Sequence, residues 1–429
     1  MDKDIEKRTM RRISWRIVPF IMILYFVAYI DRVNLGFASL TMNADLGFSA
    51  SILGFGAGIF FWGYFLFEVP SNIVLHKVGA RLWIARVMLT WGVISGAMAF
   101  IQGPTSFYVV RFLLGAAEAG FFPGIILYLS YWFPARHRAG VTALFMAAAP
   151  LSTALGSPIS AAFLQMHGFM GLAGWQWLFI AEAVPALVLA VVVFFYMTDK
   201  PEQAKWLKDD ERAWLINAMR EEASTVKNAK HGLLSGVTNP RVLALALIYF
   251  GTSAGLYTLG IWAPQIIRHL GVSSMTVGFL NAIPPIVSVI AMVLWSRHSD
   301  RTGERTWHVV LACLAAAIGL IVAAGANSIV GLISALTLVN IGISCAKPSL
   351  WTMPTTFLSG AAAATGIATI NSIGNLGGFA GPAMIGWVKD HTGSFSGGLY
   401  FVAGLLVLSA VLTLLLARSG RMAVAAAES

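Results

Sequence analysis

The chain has 429 residues, of which 58% are hydrophobic and only 11% charged, against roughly a quarter charged in soluble domains. With a mean hydropathy of +0.76, this excludes a water-soluble enzyme, a disordered chain and a secreted disulfide scaffold, and leaves a multi-span membrane protein. The formal charge of +10 would suggest nucleic acid in a soluble chain, but here its placement reports topology, and no nucleic-acid partner is expected.

Apolar runs separated by Gly, Pro or charge predict six spans at 15–39, 51–75, 82–101, 106–133, 140–165 and 175–197, each long enough to cross a bilayer. After a polar stretch, six more are predicted at 242–267, 275–296, 307–326, 330–357, 362–388 and 396–417. The expected organisation is a cytoplasmic segment 1–14, a bundle 15–198, a cytoplasmic linker 199–241, a second bundle 242–417 and a cytoplasmic tail 418–429. With the N-terminus inside, 24 of the 29 Lys and Arg fall in cytoplasmic segments, the bias of the positive-inside rule, which places both termini in the cytoplasm. A cleaved signal peptide is not expected, because the first apolar run is too long and contains Asp31, Arg32 and Asn34. In the linker, Ala204, Trp206, Leu207, Trp214, Leu215 and Met219 recur among charges at helical spacing and predict an amphipathic interfacial helix.

The chain repeats itself. LGFSASILGF from Leu46 matches LGVSSMTVGF from Leu270, HKVGAR matches DRTGER, and Pro158 matches Pro382, all at one offset of 224. Two similar six-helix halves packed face to face around a central cleft follow from such a repeat. The expected fold is therefore an all-α membrane protein with twelve transmembrane helices in two pseudo-symmetric bundles.

The loops NIVLHKVGAR and SRHSDRTGER resemble the Gly-x-x-x-Asp-Arg-x-Gly-x-Arg signature of the major facilitator superfamily, with His76 at the usual Asp in the first copy and Asp300 and Arg301 intact in the second. Within that superfamily, YFVAYIDRVNLGFA, RFLLGAAEAGFFPG, KPSLWTMPTTFLSG and INSIGNLGGFAGP are similar to the anion:cation symporter branch. The resemblance implies proton-coupled uptake of organic acids across a bacterial inner membrane, with tartrate-type, phthalate-type and sugar-acid substrates all open. It also implies that Asp300 and Arg301 take part in gating.

A charge within a span is costly and calls for a partner or a function. Asp31 and Arg32 lie in the first span, Arg111 and Glu118 in the fourth, and Lys347 in the tenth. Counted from the predicted span ends, Asp31 and Arg111 lie at similar depth in the outer half, so an Asp31–Arg111 ion pair, loosened by protonation, is expected. Glu118 follows Arg111 by two helical turns, near mid-membrane, where Gly, Ala and Phe around a carboxyl disfavour its charged form. The resemblance gives Asp31 and Glu118 the proton-coupling role. Arg32 points away from Asp31, and its two parallel donors suit a carboxylate; the resemblance makes it the substrate anchor. Lys347 stands beside Pro348, which can open the helix, and with Arg32 it could grip both ends of a dicarboxylate, or else snorkel toward the cytoplasm. Proton uptake by Asp31 and Glu118 raises the net charge of these five groups, which favours an anion.

Tyr25 and Tyr29, Tyr249, Ser253 and Tyr257, and Asn371 and Asn375 share helix faces at four-residue spacing. The resemblance favours Tyr29, Tyr64, Trp351 and Asn371 as ligand contacts. Glu68 and Glu182 are read as structural, and His137, His167, His269, His298 and His391 as solvated loop residues. Gly54/Gly58, Gly374/Gly378 and Gly377/Gly381 predict close helix packing rather than a nucleotide site. Cys313 and Cys345 have no metal-ligand spacing, and HExxH and Walker A motifs are lacking. No enzyme activity, metal or cofactor is expected; the proton gradient is the expected energy source, and the expected working form is a monomer. A passive channel or a transporter-like sensor is the alternative from another class.

Overall fold

The computed structural model describes residues 2–226, 238–354, 357 and 360–428. Helices α1 (Asp2–Leu46), α2 (Ala50–Val78), α3 (Ala80–Ala97), α4 (Pro104–Glu118) with α5 (Phe121–Trp132), α6 (Ala135–Met146) with α7 (Ala148–Leu164), and α8 (Gly174–Tyr196) make the first six passes. A linker helix, α9 (Asp209–Val226), precedes α10 (Pro240–Arg268), α11 (Ser274–Thr302), α12 (Thr306–Ala324), α13 (Ile329–Thr352), α14 (Gly360–Asn375) with α15 (Gly377–Thr392), and α16 (Ser396–Glu428). Among the described residues, eleven stretches are long and apolar enough to cross a bilayer. The short helices α14 and α15, joined end to end at Leu376, add the twelfth pass.

The sequence repeat reappears as repeated helix ends. Ser49 caps α2 by accepting from Ile52 N, and Ser273, its counterpart, caps α11 by accepting from Thr276 N, the expected use of a serine before a helix. At the far ends, Gly79 and Gly303 take positive φ of 92° and 67°, where a side chain would strain the backbone.

The halves meet along the outer ends of α1 and α10, α2 and α15, and α7 and α11. A Cβ on Gly54 would stand 2.4 Å from the Pro382 carbonyl oxygen, and one on Gly36 2.4 Å from that of Gly260, so only glycine permits these approaches. Asp390 accepts from the Ala50 and Ser51 amides at 3.0 and 2.7 Å, tying α15 to the start of α2. Gln265 donates to Ser39 at 2.8 Å and Asn281 to Ser157 at 3.0 Å. These bonds fasten the two halves to each other at this end.

The linker helix α9 lies against the first bundle. Its apolar face docks on the amino-terminal bundle, with Leu215 in the same buried cluster as Trp132, and Leu207 just before it, while Trp206 stacks on Trp132 at 5.2 Å. Arg8 bonds Asp210 and Glu211, Arg12 bonds Glu211, and Arg138 bonds Glu222. His137 bonds Glu6 at 2.8 Å, so it is not simply a solvated loop residue. The acids that meet basic partners on α1 and at the start of α6 lie on that same face, since Glu211 and Glu222 stand four residues before and seven after Leu215.

Candidate functional site

The fourth pass breaks where its acid sits. Glu118 ends α4, and Gly120 follows with φ +91°. A Cβ there would lie 2.0 Å from Ser71 Oγ. Ser71 Oγ donates to the freed Ala119 carbonyl at 2.6 Å and accepts from Trp83 Nε1 at 2.9 Å, so that carbonyl keeps a partner where water is excluded. Glu118 is 1% exposed.

Arg32 reaches that acid from α1. Its Nε and Nη2 both approach Glu118 Oε1, at 2.6 and 2.5 Å. Its Nη1 donates across the cleft to Tyr257 Oη of α10 at 3.1 Å, and the rings of Phe60 and Tyr64 lie 5.7 and 5.4 Å from the guanidinium. The cation is therefore shared among an acid, a phenol and two ring faces, and joins the two halves. Tyr257 belongs to this cluster; its shared face with Tyr249 was visible in the sequence, its bond to Arg32 was not.

Lys347 comes from α13 in the other half and is partly buried. Among the described residues it has no ion-pair partner. Beside it, Trp351 packs edge-on against Tyr249 at 5.0 Å. Tyr29 is 6% exposed and packs against Tyr25 at 5.8 Å.

Two sequence expectations need correction. The Asp31–Arg111 ion pair does not form. Helix α1 runs on to Leu46, well beyond the predicted span end, which puts Asp31 about 22 Å from the outer helix end, while Arg111 stands only about 10 Å from the start of α4. Arg111 instead donates to the Gly56 and Ala57 carbonyls of α2 at 3.2 and 3.3 Å and lies 5.0 Å from the Phe60 ring. Asp31 Oδ1 accepts from Ser95 Oγ at 3.0 Å and from Asn34 Nδ2 at 3.1 Å. Glu68, in turn, is more than a residue near the signature loop. It crosses the cleft to accept from Asn371 Nδ2 at 2.8 Å and Ser372 Oγ at 3.0 Å on α14, so Asn371 is already occupied by a carboxylate from the opposite half.

The signature loops latch within their own halves. Asp300 pairs with Arg305 at 2.7 Å, and Arg305 also donates to Ser299 Oγ at 2.8 Å; Arg301 is exposed. In the first copy, Asp199 accepts from the Arg81 amide at 2.8 Å. The side chain of His76 lies outside the described residues. His298 bonds His308, which in turn bonds Glu304, at 2.8 and 2.9 Å.

The Major Facilitator Superfamily sequence model matches residues 21–382. An Agrobacterium vitis protein named "Putative tartrate transporter" is 71% identical over 98% of this chain and 97% of its own length. An Acinetobacter baumannii protein named "Quinolone resistance transporter" is 42% identical over 96% of this chain and 95% of its own. The crystal structure of a D-xylose-proton symporter superposes with a TM-score of 0.71 at 17% identity, covering 93% of this chain and 96% of that one, which shows the shared fold.

Proposed function

The chain belongs to the Major Facilitator Superfamily, and on that premise we propose that it takes up an organic carboxylate together with protons by alternating access, with a dicarboxylic hydroxy acid such as tartrate as substrate. The membrane in question is the bacterial inner membrane, with both termini in the cytoplasm. One observation carries the reading: Arg32 of the first half, held by Glu118, reaches Tyr257 of the second, and Lys347 of that second half has no ion-pair partner among the described residues.

Glu118 and a substrate carboxylate compete for the same guanidinium. A proton on Glu118 weakens its hold and turns Arg32's paired donors toward the incoming anion, where each charge-assisted bond contributes about 1.5–3 kcal/mol. Proton and anion thereby favour each other's binding. Lys347 takes the second carboxylate, and bridging the halves through the substrate couples binding to rocking. The name of the Agrobacterium vitis relative agrees with a tartrate-like substrate. A second reading, an aromatic carboxylate of phthalate type, is favoured by the rings of Phe60, Tyr64 and Tyr257 around Arg32.

Purified protein in liposomes, supplied with labelled tartrate and an inward acid gradient, should concentrate the label and lose it when a protonophore is added. Accumulation that ignores the gradient would remove the proton from the cycle, and equilibration without accumulation would indicate a channel. Competition by phthalate that exceeds competition by unlabelled tartrate would select the aromatic reading.

A further inference from the structure

Four helices of the amino-terminal bundle enclose a second acidic site that the Arg32–Glu118 chemistry does not use. Glu182 of α8 is 5% exposed and Asp31 of α1 2%. Ser160 Oγ of α7 donates to Glu182 Oε1 at 2.6 Å, as Ser95 of α3 and Asn34 of α1 donate to Asp31 Oδ1. One oxygen of each acid remains: Asp31 Oδ2 and Glu182 Oε2, together with Asn34 Oδ1, are buried without a hydrogen-bond partner among the described residues. Asn34, which donates to Asp31, also has its side chain toward Glu182. The Trp91 indole of α3 faces Asp31 without reaching hydrogen-bond distance.

The charges around this site do not neutralise it. Glu118 and Arg111 face Asp31, and Arg111 is engaged by the α2 carbonyls. The charged group facing Glu182 is Asp31, another acid. Two ionised carboxylates buried toward each other without a cation are strongly disfavoured, and acceptors without donors are equally costly. A proton on a carboxyl oxygen removes both problems, because it cancels a charge and turns an acceptor into a donor.

We infer that Glu182 is a proton-binding site in its own right, coupled to Asp31 through Asn34. Glu182 keeps a proton on its free oxygen, directed at Asn34, while Asp31 is the member of the pair that exchanges its proton. The two acids titrate as one system, so the pair presents a single exchangeable proton. What this means for transport stoichiometry rests on the proton-coupled reading above; the protonation itself does not.

Infrared difference spectra of the detergent-purified protein test this directly, because a protonated carboxyl has a C=O stretch that an ionised one lacks. At neutral pH, Glu182→Gln should delete one such band, and Ser160→Ala, which leaves the acid in place, should shift the same band by removing its hydrogen-bond donor. In Asp31→Asn, where the facing charge is gone, the Glu182 band should persist and then disappear on alkaline titration at a pH displaced by about one unit or more from the parent, the size expected of interacting acids. A spectrum unchanged by Glu182→Gln in protein that still elutes as a folded species would overturn the inference, as would an identical titration in Asp31→Asn. A band that appears only when sodium is withdrawn would also overturn it, in favour of a metal cation. If the bands behave as expected while liposome uptake ignores pH, the proton-coupled function fails and the site stands; if uptake follows pH without the bands, the reverse holds.

Discussion

The two halves share a fold and a repeat but not a chemistry. The amino-terminal half supplies Asp31, Arg32, Arg111 and Glu118, each held by named partners. The carboxy-terminal half supplies Lys347, which has no ion-pair partner among the described residues, and otherwise offers hydroxyls, amides and rings such as Tyr257, Asn371 and Trp351. Duplication therefore preserved the helix ends, the caps at Ser49 and Ser273 and the glycines at 79 and 303, while the ionisable groups collected on one side. In the proposed cycle the first half responds to protons and the second completes the grip on the anion.

Substitutions can break that division. Glu118→Gln keeps the shape of the acid but fixes it neutral, and gradient-driven accumulation should be abolished while exchange of internal for external substrate remains measurable. Equal loss of both would make Glu118 a ligand or a structural residue. Arg32→Lys keeps the charge but loses the fork, and substrate binding by thermal shift or calorimetry should weaken by roughly 10–100-fold, the worth of one charge-assisted contact. Unchanged affinity would move the anchor elsewhere. Lys347→Ala should weaken dicarboxylates about tenfold, at the lower end of a charged hydrogen bond, and leave monocarboxylates nearly unaffected. An equal effect on both classes would take Lys347 out of the site and leave the second half without a charge of its own. Glu68→Gln retains one acceptor toward Asn371 and exchanges the other for an amide, so the apparent KM should move by about fivefold or less, the scale of one neutral hydrogen bond. A larger change would show that the clasp between α2 and α14 sets the transport rate.

The fold was legible because its signals are local. Apolar runs, the constant offset of 224 and the i,i+4 glycines can all be read from the sequence; Gly54, Gly58 and Gly378 approach the opposite half, and Gly374, Gly377 and Gly381 approach α10 of their own. The site was legible in composition more than in pairing. Arg32, Glu118 and Tyr64 lie together in the structure, yet the Arg32–Glu118 bond joins residues 86 apart in the chain and the Glu68–Asn371 bond residues 303 apart. Neither separation leaves a trace in helical periodicity. The Asp31–Arg111 expectation failed for a definable reason. Asp31 and Arg111 look level when the first span is taken as the apolar run 15–39, whereas hydrogen bonding carries α1 on to Leu46 through TMNADL, and about 10 Å of further helix sets them apart. Glu182 was set aside for its nearness to the outer boundary, a position that says nothing about the asparagine and serine waiting opposite it.

The anchoring of α9 gives the molecule a natural frame of reference. Since the linker helix is fastened by Arg8, Arg12 and Arg138 to the first bundle, a fluorophore on its exposed face travels with that bundle. A second dye at the turn around Gly303, which ends α11 in the other bundle, travels with its opposite number. Energy transfer between the two would follow any movement of one bundle against the other in single molecules, with no label placed between them.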